Sequence, residues 1–286
     1  MSSETASRPG TLAKTALLTL VHSNLLISLS ATSVAVSTIV LADLRLEPIP
    51  LFIVFAVTLF VYSFNRLTDR AEDERNVPGR ASFVERYGRV LLAAGILLYA
   101  AATVTAIVTG IPGAPAMIVP LAVAVLYSVF GVKRILLVKN LLVGLSWGMI
   151  PLGVGVYYEA LFTVDILFLF AFVTTALTIA AVVFDIKDIE GDREEGIRTV
   201  PLVVGVARTR HLAAAASALL GVVVVSAVAV GLVHPQYLLL VGYTTYMTGY
   251  SLTARVDRTP LFYGLVIDSE QILLAAGVLC TELLLS

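Results

Sequence analysis

Stretches of about twenty mostly apolar residues recur along the chain, and that pattern leaves few folds open. Crossing the roughly 30 Å hydrocarbon core of a bilayer as a helix takes about 20 such residues. In that solvent the backbone must satisfy its own hydrogen bonds, which favours helices. Nine segments qualify, at about 15–42, 49–65, 90–110, 114–132, 136–157, 163–185, 211–233, 236–254 and 262–285. Pro112 and Pro115 mark the third turn, and His234 and Pro235 the seventh. The composition agrees: 14% of the 286 residues are charged and 58% are hydrophobic. A soluble domain of this length carries about 25% charged residues. The first apolar stretch is too long for a signal-peptide core of about 7–15 residues, so it is expected to stay as an uncleaved span. The fold class expected is therefore all-α, a polytopic membrane protein with nine transmembrane helices. It forms one domain with two halves, about 15–132 and 136–285.

Charge gives the orientation. With the N-terminus placed in the cytoplasm, every Lys and Arg of the 19 except Arg45 falls on the cytoplasmic side. Basic residues concentrate in cytoplasmic loops, and one span more or fewer would scramble the asymmetry. The two long loops, 66–89 and 187–210, share that side, so any chemistry belongs there. A net charge of −1 gives no reason to expect a nucleic-acid partner. Cys280 is the one cysteine, which excludes a disulfide within the chain and a cysteine metal cluster. His22, His211 and His234 are scattered.

Each long loop opens with acids. The first begins Asn65-Arg-Leu-Thr-Asp69-Arg-Ala-Glu-Asp73, the second Asp185-Ile-Lys-Asp188-Ile-Glu-Gly-Asp192. In a continuing helix, residues i and i+4 share a face with Cβ atoms about 6 Å apart. Oxygen-only ligands suit a hard cation, and Mg²⁺ uses one or two carboxylates and completes its shell with water and phosphate oxygens. Two facing rows would hold a diphosphate between metal ions. One Asp-x-x-x-Asp pair in a polar loop is usually just solvated. Two pairs abutting membrane helices on one face point to function, since acids against hydrocarbon are costly. Tyr127, Lys133, Arg134 and Lys139 lie in or beside the short fourth loop, Lys187 lies within the second cluster, and Arg198 follows it. Arg and Lys suit diphosphate oxygens, although any cytoplasmic loop collects basic residues.

At these residues the chain resembles the UbiA superfamily of intramembrane prenyltransferases, its archaeal-type members most. The resemblance spans nearly the whole chain, and its most specific stretch is Asp185 to Pro201. It implies a central cavity under a cytoplasmic cap made by the two long loops. It implies Mg²⁺ and diphosphate bound by Asn65, Asp69, Asp73, Asp188 and Asp192, with Asp185 orienting or activating. Lys133, Arg134 and Lys187 would neutralise the leaving group. The substrates implied are a prenyl diphosphate and a lipophilic acceptor, met in membrane lipid. Two features depart from many members: Asn76-Val-Pro-Gly-Arg80 follows the first motif, and Phe184 stands where a basic residue often precedes the second.

The first span carries His22, Ser23, Asn24, Ser28, Ser30, Ser33 and Ser37. Packing is their ordinary use, with Asn24 placed to touch an acceptor. A cation-coupled transporter is the main rival, and Asp268 and Glu270 are the only acids well inside a span. A CDP-alcohol phosphotransferase ranks lower, because Ile189 stands where that motif needs Gly.

Overall fold

The computed structural model describes residues 9–68, 74, 77–122, 136–259 and 261–285. Every regular element among them is helical: α1 (Pro9–His22), α2 (Leu25–Leu41), α3 (Pro48–Thr68), α4 (Pro78–Val108), α5 (Val138–Tyr157), α6 (Val164–Phe184), α7 (Ile189–Glu194), α8 (Val200–Val204), α9 (Val206–Ala229), α10 (Leu239–Thr253) and α11 (Glu270–Leu285). Short 3₁₀ turns lie at Ala114–Met117 and Pro235–Leu238, and a π-helical segment at Phe262–Ile267.

Six helical stretches are each long and apolar enough to cross a membrane, and the bent pair of α1 and α2 brings the number to seven. The span expected at 15–42 is broken. Its halves meet at 67°, because Asn24 adopts the left-handed conformation, φ 63°, which Asn tolerates better than most residues. The expected span at 236–254 is α10, 15 residues long behind the 3₁₀ turn. Of 114–132, residues 123–132 lie outside the described residues. The loops are also more helical than expected: α4 starts at Pro78, where a first-turn proline costs no hydrogen bond, and 187–210 contains α7 and α8.

Apolar side chains point outward along these helices. Leu97 is 71% exposed, Leu219 63% and Leu284 84%, the surface a lipid-facing helix presents. Ala31 and Val34 of α2 belong to one buried core cluster with Ala176 and Val183 of α6, Val224 of α9, Met247 of α10 and Val278 of α11.

The α5–α6 hairpin is the tightest contact. A Cβ on Gly144 would lie 2.1 Å from Thr178 Oγ1 and 2.3 Å from the Thr174 carbonyl oxygen, and one on Gly148 would lie 2.1 Å from Thr174 Oγ1. Small residues four apart let two backbones touch, as membrane helix pairs require. Gly144→Val forces the helices apart, an overpacking that costs on the order of 1–3 kcal/mol. The expected result is a melting temperature several degrees below wild type for the detergent-solubilised protein. Unchanged melting would mean the hairpin has room to spare. The hairpin matters because it sets the start of α5 beside the end of α6.

At the opposite end, Tyr157 donates its hydroxyl to Glu47 at 2.7 Å and Tyr158 to the Arg45 carbonyl at 2.5 Å. Helices α2 to α5, with the residues following α4, line a cavity of about 470 Å³. It runs from Asn65 and Arg66 at one end to Pro50, Pro112 and Tyr157 at the other. Along α3, Pro50 to Asn65 is about 22 Å at 1.5 Å per residue.

Candidate active site at the helix ends

The second acid cluster forms where α6 ends. Asp185 caps α6, Asp188 precedes α7, and Asp192 lies within it. Across from them α5 begins, after a left-handed Leu137 (φ 63°), and presents Lys139 and Asn140. Asn140 Nδ2 donates to Asp185 Oδ2 at 2.9 Å. Lys139 Nζ pairs with Asp185 at 2.9 Å and Asp192 at 3.4 Å. One ammonium therefore joins two carboxylates that are 4% and 3% exposed.

Burial raises the carboxyl of Asp185 above its ordinary value, against the pull of Lys139 and Asn140. Burial likewise pushes Asp192 up to about 6, with Lys139 opposing and Asp185 and Asp188 adding repulsion. With Lys187 on Asp188, two lysines face the three carboxylates and leave the cluster one positive charge short. That shortage, with oxygen-only donors, is the setting a hard divalent cation fits.

Lys187 pairs with Asp188 at 2.5 Å, with its ammonium 5.7 Å from the Phe184 ring centroid and 5.9 Å from that of Tyr263. Asp268 stands within electrostatic reach of Arg66, Lys187 and Arg80. This relation gathers the end of α3, the start of α4 and the second cluster around one point. The helix that leads into the first motif thus ends near the second motif. Asn65 and Arg66 also line the mouth of the cavity.

The other expected site residues divide as follows. Asp69, Asp73, Tyr127, Lys133 and Arg134 lie outside the described residues. Arg198 is exposed and makes no hydrogen bond or ion pair with a described residue. Asn24 is buried at the break between α1 and α2, its Nδ2 donating to Ser63 Oγ at 3.4 Å. That ties the break to α3 just ahead of Asn65. Among the described residues, no three His, Cys, Asp or Glu side chains converge closely enough to hold a metal unaided. Asn140 had no assigned role from sequence, and its position next to Lys139 at a helix start was the available signal.

Tyr62 and Trp147 line the cavity, joined by a 3.2 Å hydrogen bond from the indole to the phenol oxygen. Phe184 packs on Tyr263 instead, and Phe64 stacks on Phe60.

The arrangement has counterparts. The solved structure of a UbiA homologue from Aeropyrum pernix K1 superposes with a TM-score of 0.66 at 18% identity, covering 90% of this chain and 98% of that one. A UbiA homologue from Archaeoglobus fulgidus, bound to GPP and Mg²⁺, gives 0.65 at 16% identity over 92% and 98%. A digeranylgeranylglyceryl phosphate synthase structure gives 0.52 at 14% identity over 93% and 99%. At these identities the likeness is one of fold. Among curated proteins, the digeranylgeranylglyceryl phosphate synthase of Natronomonas pharaonis is 46% identical over 46 residues, which is 16% of this chain and 17% of that protein. The chain thus spans about a sixth of the length of that relative in the matched stretch. The match that covers both acid-rich stretches and every residue lining the cavity is to a whole family over residues 25–261, and the chain belongs to the UbiA prenyltransferase family.

Proposed function

We propose that this protein is an intramembrane prenyltransferase, moving a prenyl group from a prenyl diphosphate to a lipophilic acceptor as diphosphate leaves with Mg²⁺ assistance. The observation that carries the reading is the largely apolar cavity ending at Asn65 and Arg66, on the side where Lys187, Asp188 and the Lys139–Asp185–Asp192 group gather. Nine crossings, with 114–132 and 236–254 among them, a cap formed by the two long loops, and a cytoplasmic active site in the cell membrane complete the proposal.

Asn65, Asp69, Asp73, Asp188 and Asp192 would hold Mg²⁺, which supplies positive charge against the diphosphate when bound. Asp185 is a positioning residue, setting Lys139 and Asn140. Lys187, with Lys133, Arg134 and Lys139, stabilises charge growing on the leaving diphosphate. Opposite charges about 4 Å apart attract by roughly 4 kcal/mol at an effective dielectric near 20, so several such contacts lower the barrier substantially. The allylic carbocation left behind must be kept from water. The apolar cavity walls do that, and the faces of Tyr62 and Trp147 offer about 0.5–2 kcal/mol each to a nearby cation.

The cavity also suggests the donor's size. A C20 prenyl chain has sixteen carbons in line, roughly 20 Å when extended at C–C bonds of about 1.5 Å, close to the distance between the two cavity ends. A geranylgeranyl-type donor fits, and a prenylated glycerol phosphate is the first acceptor to test, since two of the compared proteins carry the name digeranylgeranylglyceryl phosphate synthase. The deciding experiment incubates purified protein with labelled C10, C15 and C20 diphosphates, Mg²⁺, and a panel of glycerol-phosphate and aromatic acceptors. Prenylated product with one of them is the expected result; intact diphosphate throughout, in active membrane preparations as well, overturns the reading.

Proton competition gives a further prediction. A carboxyl titrating at about 6 is protonated below that pH, and a metal must displace the proton to bind. The Mg²⁺ concentration for half-maximal rate should therefore climb below pH 6, approaching tenfold per pH unit, and level off above pH 7. A flat Mg²⁺ requirement from pH 5 to 7 would remove Asp192 from the metal site.

A further inference from the structure

Phe184 departs from the family pattern by standing where a basic residue often precedes the second motif. It ends α6, and the Lys187 N–H bonds back to its carbonyl at 3.1 Å. Residues three apart share one side of such a turn, and the Lys187 ammonium lies 5.7 Å from the Phe184 ring centroid.

Tyr263 reaches the same ammonium from another part of the chain, its ring centroid 5.9 Å away. The π-helical segment fixes its place. Its carbonyl accepts from the Asp268 N–H, five residues on, at 3.1 Å. Its hydroxyl donates to the Arg255 carbonyl at 2.9 Å. Gly264 lets the segment close on α1, since a Cβ there would lie 2.7 Å from Val21 Cγ1. Tyr263 is 2% exposed, and its ring meets that of Phe184 at 5.5 Å and 48°. Two rings from distant elements thus converge on one ammonium.

The direct ion pair of that ammonium is with Asp188, whose two carboxylate oxygens accept from it at 2.7 and 2.5 Å. Asp188 is also one of the acids assigned to the metal. Its oxygens cannot serve a cation fully and keep both lysine bonds, so metal binding loosens the pair. A lysine is a compact charge on a flexible four-carbon stem, strongly drawn to water. Something must then keep it at the site. Both ring faces lie within the roughly 6 Å over which a ring attracts a cation. Asp268, within electrostatic reach, favours the same place.

We propose that Phe184 and Tyr263 are positioning residues, an aromatic seat that keeps the Lys187 ammonium at the site when Asp188 turns from it. The lysine then passes from a carboxylate to the leaving diphosphate without being lost to solvent. This inference rests on the reading of Lys187 as a ligand of that diphosphate.

The test is calorimetric binding of inorganic pyrophosphate, with Mg²⁺, to the purified full-length protein in detergent. Phe184→Leu keeps apolar bulk and removes the ring face, and should weaken binding about tenfold. Its melting temperature should stay near that of wild type. Fluorinated phenylalanines in place of Phe184 keep the shape and drain charge from the ring face. Binding should weaken step by step as fluorines are added. The same series at position 263, measured against Tyr263→Phe, should show the same trend. In a Lys187→Gln background, Phe184→Leu should change binding by less than about twofold, because residues acting through one group are not additive. Binding indifferent to fluorination at either position overturns the seat, and so does an undiminished Phe184→Leu effect without the lysine. If Phe184→Leu does not fold, the fluorinated series decides alone. Wild type that binds no pyrophosphate defeats the diphosphate reading itself, and the seat with it; wild type that binds with no effect of either ring defeats the seat only.

Discussion

Asp188→Asn should abolish prenyl transfer while leaving the protein folded and inserted. The side chain sits at the mouth of the second cluster, 21% exposed and paired with Lys187 at 2.5 Å. The amide keeps the shape and removes the charge. Folding should tolerate this, because an accessible ion pair contributes only about 0–1 kcal/mol and Lys187 keeps its place near the Phe184 and Tyr263 rings. Catalysis should not tolerate it. Losing one preorganised charge-stabilising group costs roughly 10²–10³-fold in rate, and losing a metal ligand forfeits the ion's contribution as well. Asp69→Asn is expected to behave alike from the first cluster. Transfer rate, with melting temperature as the folding control, checks both. Wild-type rates in both variants, or a rate that survives EDTA, would defeat the metal-assisted mechanism.

Which parts of this were legible in the sequence follows from what each signal physically reports. Apolar runs report solvent, so they located the helices that face lipid. They are blind to a single φ angle, which is why 15–42 read as one span: hydrophobicity continues across Ser23-Asn24, and the break comes from one left-handed residue. The same blindness merged the π-helical segment at Phe262–Ile267 with α11. The acid spacing located the second cluster, yet it suggested that Asp188 and Asp192 act as the pair. The structure instead joins Asp185 and Asp192 through Lys139, and couples Asp188 to Lys187. That exchange is tertiary. It depends on how closely α5 approaches α6, which Gly144 and Gly148 set through contact with Thr174 and Thr178. Asp268 was visible as an acid within a span, but its position among Arg66, Arg80 and Lys187 joins residues far apart in sequence, and no local pattern encodes that.

On the proposed reading that a C20 tail fills the cavity, Gly153→Phe should shift donor preference from C20 towards shorter chains. Gly153 lines the cavity, and a Cβ placed on it meets no atom within 4 Å. The position therefore accepts a side chain without disturbing the packing, in contrast to Gly144 and Gly148 on the same helix. It stands about 20 Å along α5 from Asn140, at 1.5 Å per residue, near the cavity end formed by Pro50, Pro112 and Tyr157. A ring there occupies the space that the last isoprene unit of a C20 chain would fill and leaves the space near the diphosphate untouched. Excluding one isoprene unit removes burial worth about 0.8 kcal/mol per CH₂, so about 3 kcal/mol is at stake for the C20 donor. The expected kcat/KM with a C20 diphosphate falls by roughly 100-fold, since each 1.4 kcal/mol is tenfold. With C10 the value should remain within about twofold of wild type, because a shorter chain never reaches residue 153. Competition between labelled C10 and C20 donors reads the switch directly. A proportional loss with both chain lengths would mean that the prenyl tail does not run along this cavity, and the donor would have to lie elsewhere in the bundle.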